Sequence, residues 1–180
     1  MDERLIAEVV RRVVEETEGR ARPAVRAPVP AVWPPERVAL GADHGGFVLK
    51  DDLADYLRSK GFTVIDCGTR GADSVDYPDF AAAVGRQVRD GKCEAGIVVD
   101  TVGIGSAMAA NKIAGVRCAV CHDVATVLNS RRHNDANVLS LGSKVVPTAL
   151  ARRMVSLWLS TSCEGERHLR RVRKIMELES

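Results

Sequence analysis

Five short apolar runs, set at intervals that each leave room for one helix, constrain this chain more than any other feature. The runs cover residues 37–41, 63–66, 95–100, 117–121 and 138–141. Helix-period stretches lie near 46–60, 78–90, 105–113, 123–132 and 147–160, and a last amphipathic stretch covers 165–178. Strands separated by helices do not pair as hairpins. They line up in parallel, with helices covering both faces of the sheet. The expected fold class is therefore α/β, a three-layer α/β/α Rossmann-like domain around a five-stranded parallel sheet. Hydrophobic residues make up 46% of the 180 residues and aromatics only 4%, so the core must be Val, Ala, Leu and Ile. That suits strands buried on both faces.

The alternation begins at residue 37, and what precedes it has a different character. Residues 1–19 read as an amphipathic helix, a targeting or docking peptide. Leu5, Ile6, Val9, Val10, Val13 and Val14 form one stripe, opposite Arg11, Arg12, Glu15 and Glu16. Residues 20–36 hold five of the chain's seven prolines and read as a semi-rigid linker. Residues 37–180 form the expected domain.

Lys and Arg exceed Asp and Glu by 26 to 24, so no charge excess recruits nucleic acid or an anionic membrane. No apolar run is long enough to span a bilayer. Five cysteines, an odd number, without a secretory apolar segment predict free thiols in the cytoplasm.

In a parallel sheet, ligands gather beyond the carboxyl ends of the strands. The segments following the runs are Gly41-Ala42-Asp43-His44-Gly45-Gly46, Asp66-Cys67-Gly68-Thr69 with Asp76-Tyr77-Pro78, Asp100-Thr101-Val102-Gly103-Ile104-Gly105-Ser106, Cys121-His122-Asp123 and Gly142-Ser143-Lys144. The helix after the fourth run ends in Arg131-Arg132-His133-Asn134-Asp135. A glycine-rich turn entering a helix offers N–H groups to an anion. Asp43, Asp100, His44 and His133 could move protons. Arg167 and Arg171, one helical turn apart, could clamp a phosphate. Together these describe a site for a small phosphorylated molecule undergoing acid–base chemistry.

Other readings of single motifs are weaker. Gly103-x-Gly105 lacks the third glycine of a dinucleotide fingerprint and follows the third strand rather than the first. Cys118-Ala119-Val120-Cys121-His122 has haem-attachment spacing but lies in a strand, and no second pair of cysteines makes it a zinc site. Arg131 and Arg132 read equally as a solvated helix end or as functional residues. The basic face from Arg167 to Lys174 could be plain surface.

From residue 38 to about 176 the chain resembles the ribose-5-phosphate isomerase B family, which includes galactose-6-phosphate and tetrose-phosphate isomerases. The matching blocks are Gly41-Ala42-Asp43-His44-Gly45-Gly46-Phe47-x-Leu49-Lys50, Asp76-Tyr77-Pro78, Gly103-Ile104-Gly105-x-x-x-Ala109-Ala110-Asn111-Lys112, His133-Asn134-Asp135-x-Asn137-Val138-Leu139, Gly142-Ser143 and Arg167-x-x-x-Arg171-Val172. The resemblance implies an aldose–ketose isomerase that uses no metal or cofactor and works through an enediol. It implies ring opening at His133, handling of the ring oxygen and hydroxyls by Asp43 and Tyr77, and a phosphate clamp of His44, Arg167 and Arg171. It makes the backbone from Gly103 through Gly105 to Ser106 the anion hole. Asn111 and Asn134 belong to the substrate-binding blocks. It also implies a homodimer or tetramer with shared sites.

The sequence departs from the family at the reacting end. The family base is a cysteine at position 100 or a glutamate at position 106; here these are Asp100 and Ser106. Val102 replaces a threonine or serine of the anion loop, and Lys144 replaces an arginine of the phosphate clamp. Asp100 is the expected substitute base. A helix N-terminus would lower its pKa, and burial would raise it. The alternative is that Asp100 caps the 103–112 turn and helix, with catalysis lost or moved to Asp43. These changes make a tetrose phosphate a candidate substrate beside ribose 5-phosphate. A different class, a non-catalytic phosphosugar-binding or assembly protein on the same fold, also fits. The 1–19 peptide and its linker resemble the encapsulation peptides of bacterial microcompartment cargo, which makes a shell protein a candidate partner. The alternatives for that helix are packing on its own oligomer or lying on a membrane surface.

Overall fold

The computed structural model describes residues 33–179. Five strands form the sheet: β1 (Arg37–Ala42), β2 (Thr63–Asp66), β3 (Ala95–Asp100), β4 (Cys118–Val120) and β5 (Val138–Gly142). Six helices accompany them: α1 (Phe47–Ser59), α2 (Tyr77–Arg89), α3 (Ile104–Ala110), α4 (Val124–Arg132), α5 (Thr148–Ser160) and α6 (Gly165–Met176), with a 3-10 turn at Glu177–Glu179. All pairings are parallel, in the order β2-β1-β3-β5-β4. The expected fold class is the observed one.

The two-residue side-chain period of each strand divides the core. Val38, Leu40, Ile97, Val99, Leu139 and Leu141 face one way, against Leu53 and Leu57 of α1, Val127 of α4, and Met154, Val155 and Trp158 of α5. Ala39, Val98 and Val138 face the other way, against Ala81 and Val84 of α2 and Ala110 of α3. On that second face Gly41 and Gly96 lack the Cβ that would come within 2.7 and 2.6 Å of Val84, and so α2 settles close on β1 and β3. Each leucine-sized side chain buried in these layers contributes about 1.5–3 kcal/mol.

Element ends shift where side chains replace backbone partners. β4 starts at Cys118, one residue later than expected, because the Arg117 N–H donates to Asn137 Oδ1 (2.7 Å). Asn111 lies just past α3, and its carboxamide pairs with both the N–H and the C=O of Cys118, at 2.8 and 2.9 Å. That pairing blunts the outer edge of the sheet. The packed body begins earlier than residue 37: Trp33 meets Trp158 edge to face at 5.3 Å. The helix expected over 1–19 lies outside the described residues.

Candidate active site

The strand order makes a switch point. From β1 the chain crosses by α1 toward β2; from β3 it crosses by α3 the other way. The crevice for a ligand opens between the carboxyl ends of β1 and β3. Ala42 is in register with Val99, so Asp43 and Asp100 are the next residues on neighbouring strands.

Both carboxylates are buried, 6% and 5% exposed, but their surroundings differ. Asp43 Oδ1 accepts the N–H groups of Gly45 and Gly46, each at 2.9 Å. Among the described residues no hydrogen bond reaches its Oδ2, which is not sealed from solvent. Asp100 has both oxygens occupied. Oδ1 accepts the N–H of Val102 (2.8 Å) and that of Gly103, and Oδ2 accepts the N–H of Ser106 (2.9 Å). Burial pushes the Asp100 carboxyl up, but the Ser106 hydroxyl and these three N–H groups outweigh it and hold the group below its ordinary 3.8. Gly103 supports the turn with φ +86°, a conformation that suits glycine.

Asp100 was expected as the base, and the backbone of 103–106 as an anion hole. The hydrogen bonds of Asp100 are those of the capping alternative, and they take two of the loop's N–H groups, those of Gly103 and Ser106. Asp100 is itself the anion in that loop, and a carboxylate held this way is a weak base at neutral pH. The donors at Val102, Gly103 and Ser106 already have an acceptor.

Around the same crevice, the Tyr77 ring lies over Gly105, where a Cβ would come within 2.7 Å of it. The Tyr77 side chain is 41% exposed. The Val75 N–H donates to His44 Nδ1 (3.2 Å), tying His44 to the segment leading into Tyr77. Ser143 Oγ donates to the Gly45 carbonyl (2.6 Å), and the Lys144 N–H to the Thr101 carbonyl (3.0 Å). These bonds lock the β1, β3 and β5 ends together. A side chain at Gly45 would strike Thr101 Oγ1, so Thr101 belongs to this crevice too. Sequence reading named Thr101 and Ser143 among the segments that follow the strands but gave neither a role of its own.

The other expected residues lie at the opposite end of the sheet. His133 caps the C-terminus of α4, which returns the chain to the amino end of β5. Five residues of β5 separate the two ends by about 16 Å. His133 and His168 of α6 stack at 4.2 Å with a 2° interplanar angle. Asn129 Nδ2 lies 2.9 Å from His133 Nδ1, and Arg167 Nε donates to His168 Nε2 (3.1 Å). Burial, with the charges of His133, Arg167 and Arg171, lowers the His168 pKa. Asn134 borders a 440 Å³ groove beside β4 with Ala119, Val120 and Asn129. Asn111 lies at this amino end as well, with its carboxamide engaged by Cys118. Arg131 is no solvated helix end: it is 1% exposed.

Within one chain, then, Asp43, His44, Tyr77, Asp100 and Lys144 form one group, and His133, Asn134, Arg167 and Arg171 another. Burial raises the thiol pKa of Cys67 and Cys121, and takes that of Cys93 to about 11. Among the described residues no cluster of His, Cys, Asp and Glu could hold a metal ion, and no helix is long and apolar enough to cross a membrane.

Residues 38–175 match the family model described as Ribose/Galactose Isomerase. Ribose-5-phosphate isomerase B of Escherichia coli is 42% identical over 144 residues, which is 80% of this chain and 97% of that protein. D-erythrulose-4-phosphate isomerase of Pectobacterium atrosepticum is 37% identical over 140 residues, covering 77% and 91%. Among solved structures, ribose-5-phosphate isomerase B of Clostridium thermocellum superposes with a TM-score of 0.78 at 48% identity, over 79% of this chain and 97% of that one. The Mycoplasma genitalium enzyme with bound ribulose 5-phosphate gives 0.76 at 36% identity, over 79% and 95%. With its sheet order, its switch-point crevice and these matches, the chain belongs to the Ribose/Galactose Isomerase family.

Proposed function

We propose that this protein interconverts an aldose phosphate and the matching ketose phosphate, of four or five carbons, through an enediol, with Asp43 as the base. The observation that carries this reading is the buried Asp43 carboxylate at the switch point of a chain of this family, with no hydrogen bond on Oδ2 among the described residues. Asp43 takes the proton from C2 of the aldose. The electron pair moves to form the C1–C2 double bond, and the C1 carbonyl oxygen becomes the enediolate. Asp43 then returns the proton to C1 as the O2 hydroxyl proton passes to O1, giving the C2 ketone and the C1 alcohol. In this reading Tyr77, whose ring lies over Gly105, and the N–H groups of Ile104 and Gly105, which Asp100 does not take, serve the developing oxyanion, and Lys144 serves the phosphate.

The site is composite in this reading. His133, Arg167 and Arg171 come to the crevice from a second copy of the chain, since in one copy the sheet separates them from Asp43. Their roles are ring opening at His133 and phosphate binding at the arginines, with His44 on the crevice side. Support for the substrate range comes from the two activities named among the relatives and from Val102, a 42% exposed apolar side chain beside the reacting end. The sequence of 1–19, with its proline-rich linker, supports docking of the enzyme on a microcompartment shell in the cytoplasm.

The reading is tested by proton NMR of the full-length protein in D2O with ribose, ribulose, erythrose and erythrulose phosphates. Deuterium enters at C2 of one aldose and its ketose appears. A folded, phosphosugar-binding protein that exchanges no proton with any of them is instead the non-catalytic binder.

Ring opening gives a second, selective expectation. An aldotetrose 4-phosphate has no ring to open, because O4 carries the phosphate. His133→Gln therefore slows turnover of ribose 5-phosphate by about 100-fold or more and that of erythrose 4-phosphate far less. Equal losses on both sugars would remove the ring-opening role.

A further inference from the structure

Trp33 lies outside the family-matched segment 38–175, yet it packs on the part of the domain that carries His133. The Arg131 guanidinium carbon sits 3.4 Å from the centre of the Trp33 ring and 5.9 Å from that of Trp158. Arg131 holds the turn after α4 from three sides. Its Nη1 donates to the Ala136 carbonyl (2.6 Å), its Nε donates to the Thr161 carbonyl (3.0 Å), and it forms an ion pair with Asp135 at 2.9 Å. Asp135 takes a left-handed φ of 47°, and Arg117 grips it from the other side through its carboxylate (3.0 Å) and its carbonyl (2.9 Å). Residues 132–136 thus form a turn with one left-handed residue, held by two arginines, of which Arg131 is the more deeply buried.

A buried guanidinium loses its water, and an aromatic face over it restores part of that interaction. Among the described residues two aromatic faces serve Arg131, and Trp33 at 3.4 Å is nearer than Trp158 at 5.9 Å. We propose that Trp33 is a positioning residue: by closing over Arg131 it fixes the turn bearing His133 and keeps His133 stacked on His168. The site is thereby braced from beyond the family domain, by the residue at which the N-terminal segment joins the body. The consequence for turnover rests on the role given above to His133; the structural statement does not.

The test uses full-length protein carrying Trp33→Ala, Trp33→Phe or His133→Gln. The chain has four histidines, so their ring proton signals are assignable by single substitutions. Stacked rings shift each other's signals upfield. In Trp33→Ala the signals of His133 and His168 lose that shift while those of His44 and His122 stay. Trp33→Phe, which keeps an aromatic face, restores it. Turnover of ribose 5-phosphate falls by about tenfold in Trp33→Ala with little change in KM. A lower melting temperature with unmoved His133 and His168 signals would make Trp33 a stability residue only and overturn the proposal. Moved signals with full turnover, while His133→Gln is slow, would overturn its functional half. If His133→Gln turns over normally, the role of His133 fails, and the ring signals alone decide the role of Trp33.

Discussion

Asp43→Asn reduces exchange of the substrate C2 proton by about 10²–10⁴-fold while leaving the fold intact. The asparagine carbonyl still accepts the Gly45 and Gly46 N–H groups that Asp43 Oδ1 accepts at 2.9 Å, so only the base is lost. Asp100→Asn behaves differently. Three N–H groups converge on Asp100, and an amide presents one oxygen and one donor where two acceptors stood. Stability falls by about 1–3 kcal/mol from the unmatched buried donors. Exchange persists, weakened by the loosened loop rather than abolished. The pH dependence separates the two variants further. The Asp100 carboxyl is held below 3.8, so the unfolded chain takes up its proton first as pH falls. Its stabilisation is complete above the ordinary carboxylate value and is lost as pH drops through the folded one. Urea unfolding midpoints between pH 6 and pH 3 therefore show a component in the wild type that Asp100→Asn lacks. The reverse pattern of activity, with Asp100→Asn inert and Asp43→Asn active, would return the base to Asp100.

The fold was legible because its signal is local. In β1 the alternation of Val38 and Leu40 with Ala39 and Gly41 is a period of two, and the residues that follow each strand lie at one end of the sheet by topology alone. That put Asp43, His44, Tyr77, Asp100 and Lys144 at one end of the sheet. His133 belongs to a family block just as clear in sequence, but it ends a returning helix, and a motif match carries no information about which end of the sheet it serves. Which N–H groups converge on Asp100 is set by the path of the loop after β3, and a strand period carries no trace of it. Trp33 was hidden by its neighbours. Prolines at 34 and 35 read as linker, and the partner that draws Trp33 onto the body is a buried arginine far along the chain. Arg131 was itself ambiguous for the same reason: a cation at a helix end looks solvated until its acceptors are known.

The division of the site between the two ends of the sheet is the central structural claim, and complementation tests it most directly. Asp43→Asn disables the crevice, and Arg167→Ala with Arg171→Ala disables the opposite end of the sheet, so each variant alone is inactive on the turned-over phosphosugar. Unfolded together and refolded as mixed oligomers, they form some sites that take Asp43 from one copy and both arginines from the other. In a random dimer mixture half the dimers are mixed, and each mixed dimer holds one intact site, so about a quarter of wild-type activity returns. Refolding either variant alone returns none. Mixed oligomers that form, shown by mass, yet stay inactive would mean that Asp43 and the arginines must belong to the same chain, and the composite site would be wrong.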